Sequence, residues 1–167
     1  LIRLLRKGGV EVHVILTRSG SQFITPLTLA TLSGHPVTTD MFAASAEGPD
    51  LRWGQIEDGM ETGGPMRSGE TAIRHIQASR GSSLIVVAPA SGNILGKAAH
   101  GIADDALSTA IMASSVPVLF APAMNTRMWE NPAVQENVAL LKRRGYLFVH
   151  PGVGDLACGE TGAGRMA

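Results

Sequence analysis

The stretch SLIVVAPASGN, residues 83–93, decides the fold. It opens with an uninterrupted apolar run, Ser83–Ala88, typical of a strand buried on both faces, and continues into a proline-containing turn of small residues. A second such run, Val116–Ala121 (VPVLFA), leads into another turn. The other predicted elements are strands at Glu11–Thr17 and Tyr146–Val149 and helices at Leu1–Lys7, Pro26–Leu32, Gly101–Ser114 and Asn131–Arg144. Apolar strands alternating with helices predict an α/β fold, a three-layer α/β/α sandwich with a parallel, Rossmann-like sheet.

The length of 167 residues fits a single domain, which we assign to residues 1–167. The chain opens with a helix that feeds a strand, and this order normally follows an earlier strand, so we expect a first strand to be missing ahead of Leu1. Residues 42–74 are rich in Gly, Glu, Ser and Met with weak periodicity, which predicts a long loop or insertion. The glycine-rich residues 152–167 predict a flexible flap over a substrate.

Composition excludes several classes of function. The 14 basic residues balance 14 acidic ones, so the chain has no net field that would attract nucleic acid or an anionic membrane. No apolar run approaches the roughly 20 residues that span a bilayer. A single cysteine forms no internal disulfide, which indicates a reducing, cytoplasmic location. The histidines lack metal-ligand spacing, so we expect no metal site, and the absence of a Walker loop or GxSxG elbow argues against nucleotidases and hydrolases.

Three polar clusters follow predicted strands: TRSGSQF at residues 17–23, PASGN at 89–93 and PAMN at 122–125. Ligands of parallel sheets bind beyond the carboxyl ends of the strands, so these turns are candidates for a binding site. For the first two turns the alternative is helix capping alone, for example by Ser91. Phe23 could flank a planar ligand ring, but packing inside the protein is the simpler expectation.

Three side chains are candidates for chemistry. Asn125 lies in PAMNTRMW, residues 122–129, where an amide among apolar residues suits a carboxylate that must lose its hydration before leaving as carbon dioxide. The alternative, a helix N-cap, fits Asn131 better than Asn125. His75 is a candidate acid or base, or simply a histidine at a helix start. Cys158, the only cysteine, lies among glycines in ACGETGAGRMA, residues 157–167, which suggests a flap that carries a thiol over a pocket.

Four stretches together resemble the phosphopantothenoylcysteine decarboxylase family, in particular the decarboxylase half of the bifunctional coenzyme A biosynthesis flavoprotein. They are FITPLTLATLSG (23–34), PASGNILGKAAHGIADDALSTAIMAS (89–114), VLFAPAMNTRMWENPAVQENVALLKRRG (118–145) and ACGETGAGRM (157–166). The asparagine motif and the cysteine flap are specific in combination, because other flavin-binding relatives such as the prenyltransferases share the sheet but lack the flap. Residues 42–74 are longer than the family's usual link.

The resemblance implies FMN as the cofactor and assigns site residues. FMN-binding residues are implied in the first turn (Thr17, Arg18, Ser19 and Phe23), in the second turn (Ser91, Gly92, Asn93 and Ile94) and at Ala123. Catalytic roles are implied for His75, Asn125 and Cys158, and substrate binding for Asn125, Met128, Cys158 and Gly159. Gly92 and Ile94 depart from the family's usual pattern at the second turn, and Glu160 stands where aspartate is commoner.

The implied reaction is the FMN-dependent decarboxylation of 4'-phosphopantothenoylcysteine to 4'-phosphopantetheine. In that family the substrate thiol is oxidised toward a thioaldehyde by hydride transfer to FMN, carbon dioxide leaves, and the resulting enethiol is protonated and reduced again. An ordinary cysteine thiol, with a pKa near about 8.5, is mostly protonated at neutral pH, which suits Cys158 as the proton donor.

The implied assembly is a homo-trimer or a trimer-based dodecamer with flavin at the subunit interfaces, and a fused synthetase domain is a further expected partner. The alanine-rich segment Gly101–Ser114 is the expected contact face. Two alternatives stay open. One is a peptidyl-cysteine decarboxylase of the lantibiotic type, and the other is an inactive flavin-binding regulatory subunit.

Overall fold

The computed structural model describes residues 1–40, 82–155 and 161–166. The predicted loop at 42–74 and the candidates His75, Cys158 and Gly159 lie outside the described residues. The helices are α1 (Ile2–Lys7), α2 (Pro26–Ser33), α3 (Gly92–His100), α4 (Ala106–Met112), α5 (Thr126–Trp129) and α6 (Pro132–Arg143), with a short 3-10 helix at Gly20–Gln22. The strands are β1 (Val14–Ile15), β2 (Val37–Thr38), β3 (Ile85–Ala90), β4 (Val118–Pro122), β5 (Leu147–Phe148), β6 (Gly152–Asp155) and β7 (Thr161–Arg165).

The described strands form two parallel sheets and one antiparallel hairpin. β1 pairs with β2 in parallel, β3, β4 and β5 form a second parallel sheet in that order, and β6 pairs with β7 to form the hairpin. The mixed α/β fold with parallel strands is therefore confirmed. Across the described residues, however, the strand ladders do not join into the single sheet that we predicted. Strand β2 and the β6–β7 hairpin were not predicted, because their sequences lack long apolar runs.

The main hydrophobic core lies on one face of the β3–β4–β5 sheet. Val87 and Phe120 are opposite each other in the parallel register, and they pack in one cluster with Leu95 of α3 and Leu141 of α6. Phe120 is fully buried, and full burial of a side chain of this size contributes about 1.5–3 kcal/mol. Val86, which alternates to the other face, is 36% exposed. Helices α3 and α6 therefore cover this face of the sheet.

Three predicted helices, α1, α2 and α6, are confirmed with small shifts at their ends. The predicted helix at 101–114 is wrong at its start, because Gly101 instead ends α3 in the left-handed conformation, with φ of +69°. α4 begins after Asp105, whose carboxylate accepts a hydrogen bond from the Ser108 N–H at 2.8 Å, while the Asp105 N–H donates to the Ser108 hydroxyl at 3.0 Å. This reciprocal capping box sets the boundary between the two helices.

The amino-terminal helix packs against α2, and Arg6 Nη1 donates a hydrogen bond to the Leu32 carbonyl at 3.1 Å. The described residues give no support to the expectation of a strand ahead of α1. Within residues 1–40, 82–155 and 161–166, no helix has the length and apolar character needed to cross a membrane.

Candidate active site

The carboxyl ends of β3 and β4 bring two of the predicted ligand turns together. β3 ends at Ala90 and β4 ends at Pro122, and these two residues are paired in the parallel register. Beyond the strand ends, the Ala123 N–H donates to the Ala90 carbonyl at 3.0 Å. The turns at 89–93 and 122–125 therefore lie side by side, although a helix-containing segment separates them in the sequence.

The turn at 89–93 leads directly into α3. The Ser91 hydroxyl oxygen accepts a hydrogen bond from the Ile94 N–H at 3.4 Å, so the capping role considered from the sequence is observed. A Cβ at Gly92 would lie 3.7 Å from the Met124 sulfur, which shows how closely the two turns approach. The Ile94 side chain is 6% exposed and belongs to the core, whereas Ser91 and Asn93 are exposed. Ser91 and Asn93 are therefore the side chains of this turn that a ligand can reach.

Asn125 forms the N-cap of the short helix α5. Its Oδ1 accepts the Arg127 N–H at 2.9 Å. We expected the capping interpretation to fit Asn131 rather than Asn125, but both residues cap helices, since Asn131 Oδ1 accepts the Ala133 N–H at 3.0 Å. The cap orients the Asn125 amide, because the oxygen faces the backbone of α5 and the NH₂ group is the end that carries donors. An NH₂ group is a hydrogen-bond donor, which is what a carboxylate ligand requires.

Strand β7 packs directly on the turn that contains Asn125. The Met124 N–H donates to the Gly164 carbonyl at 3.0 Å. A Cβ at Gly164 would overlap the Met124 carbonyl oxygen, and the φ of +131° at this position also requires glycine. A Cβ at Gly162 would overlap the Thr126 hydroxyl oxygen. The small size of Gly162 and Gly164 thus allows β7 to pack closely against this turn.

Two features follow from this contact. The Thr126 hydroxyl oxygen is buried and has no hydrogen-bond partner among the described residues. Asp155 pairs with Thr161, so residues 156–160 link the two strands, and Cys158 is the central residue of that link in the sequence. Strand β7, which follows that link in the sequence, is thus held at the Asn125 turn.

The first predicted turn borders a cleft at the start of α4. Thr17 and Arg18 line a cleft of about 210 Å³ together with Asp40 and the start of α4, and neither the turn at 89–93 nor Ala123 is among the described residues that line it. The Thr17 hydroxyl oxygen accepts the Gly20 N–H at 3.1 Å and so stabilises the turn. Phe23 is 92% exposed, so the expectation that it packs inside the chain is wrong.

Two carboxylates of this cleft, Asp104 and Asp105, share one lysine partner. Lys97 Nζ lies 2.6 Å from Asp104 Oδ1 and 2.7 Å from Asp105 Oδ2. Hydrogen bonds to Asp104 and Asp105 raise the pKa of Lys97, and the hydrogen bond from Lys97 lowers the pKa of Asp104. Burial opposes ionisation of Asp105, but hydrogen bonds from Lys97 and Ser108 outweigh it and hold its pKa below the ordinary value. Both carboxyls are therefore ionised at neutral pH.

Two groups of residues that the structure brings together were not predicted from the sequence. Thr126, Gly162 and Gly164 join the hairpin to the Asn125 turn, and only the small size of the glycines hinted at a close approach. Glu11, His13 and His35 form a cluster of potential metal ligands. Finding this cluster from the sequence would have required predicting the short strand β2. The pairing of β2 with β1 brings His35 beside residues that are far from it in the sequence.

Comparison with known proteins gives a consistent result. The profile of the Flavoprotein family matches residues 1–167. The coenzyme A biosynthesis bifunctional protein CoaBC of Bacillus subtilis is 41% identical over 162 residues, which are 97% of this chain and 34% of that protein. The chain thus spans about a third of the length of the curated relative that it matches.

Two solved structures are similar over nearly the whole chain. A PPC decarboxylase mutant complexed with pantothenoylaminoethenethiol aligns with a TM-score of 0.73 and 30% identity, covering 99% of this chain and 81% of that one. The FMN-dependent cysteine decarboxylase SpaF aligns with a TM-score of 0.71 and 28% identity, covering 98% and 79%. The resemblance drawn from the four sequence stretches is confirmed, and the chain belongs to the Flavoprotein family as a homologue of the decarboxylase part of CoaBC and of PPC decarboxylase.

Proposed function

We propose that the chain is an FMN-dependent decarboxylase that converts 4'-phosphopantothenoylcysteine to 4'-phosphopantetheine. One observation carries this proposal: the turn at 89–93, the turn at 122–125 and strand β7 meet at one edge of the β3–β4–β5 sheet. The carboxyl edge of a parallel sheet is where such folds bind ligands. The CoaBC relative and the PPC decarboxylase neighbour support this choice of substrate.

The residues present fit a flavin. The two turns at the strand ends present small residues, Gly92 and Ala123, and the buried hydroxyl of Thr126 has no hydrogen-bond partner among the described residues. The exposed Arg18 suits a phosphate group. The proposed FMN-binding residues are Thr17, Arg18, Ser19, Phe23, Ser91, Gly92, Asn93, Ile94 and Ala123. When bound there, a flavin would supply a reversible hydride acceptor, which is the electron sink that loss of carbon dioxide needs.

Asn125 is the proposed carboxylate-binding residue, with Met128 beside it on α5. The cap to Arg127 holds the amide so that its donor end is defined, and this suits a carboxylate without adding charge. Withdrawing that carboxylate from water favours its departure as uncharged carbon dioxide. The proposed role of Asn125 is therefore to bind and orient the leaving group.

Cys158 and His75 complete the proposed catalytic set, and Gly159 adjoins the thiol in the sequence. Cys158 would donate the proton that the product carbon receives, and His75 would assist removal of the substrate thiol proton. The docking of β7 beside Asn125 supports a thiol donor from the link between β6 and β7. The neighbouring PPC decarboxylase, a cysteine-to-serine mutant bound to an ethenethiol, is consistent with a last step that needs a cysteine.

We propose a homo-trimer, or a dodecamer of trimers, as the assembly. Phe23, Leu27 and Val153 are 92%, 76% and 78% exposed, and such large exposed side chains support burial against another subunit. The contact face we expected on the alanine-rich helix α4 is less suitable, because Ala106 and Ala110 are buried within the chain.

The first test is flavin binding and substrate binding in one experiment. The purified protein should show flavin absorbance at near-equimolar occupancy and release carbon dioxide from 4'-phosphopantothenoylcysteine. Asn125→Asp keeps a good capping side chain but places a carboxylate against the substrate carboxylate. Two like charges about 4 Å apart cost on the order of 4 kcal/mol near a protein surface, so substrate affinity should fall far more than tenfold.

Asn131→Asp is the matched control, because Asn131 also caps a helix through Oδ1 but lies outside the proposed site. It should retain full substrate affinity. A colourless protein that ignores added FMN, or an Asn125→Asp variant with unchanged affinity, would contradict the proposal.

Cys158→Ser tests the last step of the reaction. This variant should consume substrate and release carbon dioxide yet accumulate the unsaturated thiol, since only the final protonation and reduction require the cysteine. Mass spectrometry would find a product lighter than 4'-phosphopantetheine by two hydrogen atoms. Formation of the normal product would remove Cys158 from the mechanism.

A second candidate is a peptidyl-cysteine decarboxylase, which the likeness to SpaF favours. The two candidates differ in substrate and share the proposed site. A direct comparison of carbon dioxide release from 4'-phosphopantothenoylcysteine and from a cysteine-terminated peptide separates them. Faster turnover of the peptide would reverse the choice of substrate.

A further inference from the structure

The parallel pairing of β1 and β2 brings three metal-binding side chains together at the amino ends of the two strands. His13 immediately precedes β1, and His35 lies just ahead of β2. Glu11 Oε1 lies 3.0 Å from His13 Nε2 and 3.5 Å from His35 Nε2. The two imidazole centroids are 4.3 Å apart.

These distances match the spacing of ligands around a zinc ion. Zn²⁺ binds imidazole nitrogen and carboxylate oxygen at about 2.0–2.2 Å in tetrahedral geometry, which places neighbouring ligand atoms roughly 3.3 Å apart. The separations of 3.0 and 3.5 Å fall on either side of this value. One ligand atom from each residue lies within 4.8 Å of the others, so small rotamer changes suffice to close the set.

We propose that Glu11, His13 and His35 form a zinc-binding site, with water in the fourth position. Two imidazoles and one carboxylate are a donor set that suits Zn²⁺ and other late first-row cations. All three side chains are partly or largely exposed, so a cation reaches them without opening the fold. The site ties the segment before β1 to the segment before β2.

The expected role of this site is structural. Each of the two strands contains only two residues, so their ladder is short and a metal link across it adds a constraint. The site lies at the amino ends of β1 and β2, whereas the proposed decarboxylase site uses the carboxyl ends of β3 and β4. Zinc binding therefore does not depend on whether the proposed decarboxylase function is correct.

The test is calorimetric titration of the EDTA-treated full chain with Zn²⁺ alone. The native protein should bind one equivalent at this site, and His13→Ala and His35→Ala should each weaken that binding by at least about tenfold. His150→Ala is the control, since His150 is exposed and lies outside the cluster, and it should bind as the native protein does. Saturating Zn²⁺ should also raise the melting temperature of the native protein and the control but not of the two cluster variants.

Folding of the variants is checked separately. Because the three side chains are exposed or half-exposed, the alanine variants without metal should melt at the same temperature as the EDTA-treated native protein. If the native protein shows no saturable binding, or if His13→Ala and His35→Ala bind zinc like the control, the cluster is an exposed ion pair only and the proposal is wrong.

Discussion

Replacing Gly164 with alanine tests how the hairpin is held against the Asn125 turn. The new Cβ would overlap the Met124 carbonyl oxygen, and the φ of +131° would strain any residue other than glycine. Such backbone strain costs about 1–3 kcal/mol. Loss of the hydrogen bond from the Met124 N–H to the Gly164 carbonyl adds about 0.5–1.5 kcal/mol.

The two effects together disfavour the docked hairpin by roughly 2–4 kcal/mol, which is a shift of about 30- to 1000-fold in the docking equilibrium. Gly145→Ala is the matched control, because Gly145 has a φ of +89° and nothing lies within 4 Å of an added Cβ. It also places alanine at a positive φ, but outside the hairpin and without a steric overlap. The comparison therefore isolates the effect of the contact with Met124.

Two measurements read the result. The Met124 amide should exchange slowly with solvent deuterium in the native protein and in Gly145→Ala, and rapidly in Gly164→Ala. In the flavin-loaded protein, Gly164→Ala should lower the proposed release of carbon dioxide by at least about tenfold. If Gly164→Ala keeps both the native exchange rate and the native turnover, the hairpin contact is not what holds this edge of the site.

Three further outcomes are expected, one at the hairpin and two at the cap of α4. Gly162→Ala should also expose the Met124 amide, because its Cβ overlaps the Thr126 hydroxyl, and Thr126→Ala in the same chain should restore part of the protection, as hydrogen exchange would show. Asp105→Ala should lower the free energy of unfolding in urea by about 1–2 kcal/mol through loss of the cap of α4, and Asp104→Ala should cost less. The lowered pKa of Asp105 stabilises the fold above the unfolded carboxyl value of 3.8, and this contribution is lost as the pH falls through the lower folded value. Asp105→Asn should therefore show a weaker loss of stability on acidification than the native protein, measured as unfolding free energy against pH.

Much of the α/β pattern was readable from local signals. The apolar runs predicted β3 and β4, and proline after a capping residue marked the starts of α2 and α6. The division between α3 and α4 was missed because Gly101 was taken as the start of a helix, whereas its left-handed conformation ends one. The short strand β2 depends on its partner β1 and carries little signal of its own.

The candidate site was also predictable only in part. The meeting of the turns at 89–93 and 122–125 was predictable, because neighbouring parallel strands end at one edge of a sheet. The docking of β7 on Met124 and Thr126 was not, since it depends on contacts between segments far apart in the chain. The exposure of Phe23 was also unexpected, because a large apolar side chain is usually buried and only the structure shows which one is not.

The discontinuous origin of this edge has a consequence for protein engineering. The Ala90–Pro122 pairing and the Met124–Gly164 hydrogen bond join three segments that are distant in the primary structure. A peptide excised from any one of them would lack the neighbours that shape it. Transplanting the site into another scaffold would thus require the two strands, their alignment and the hairpin to be moved as a unit.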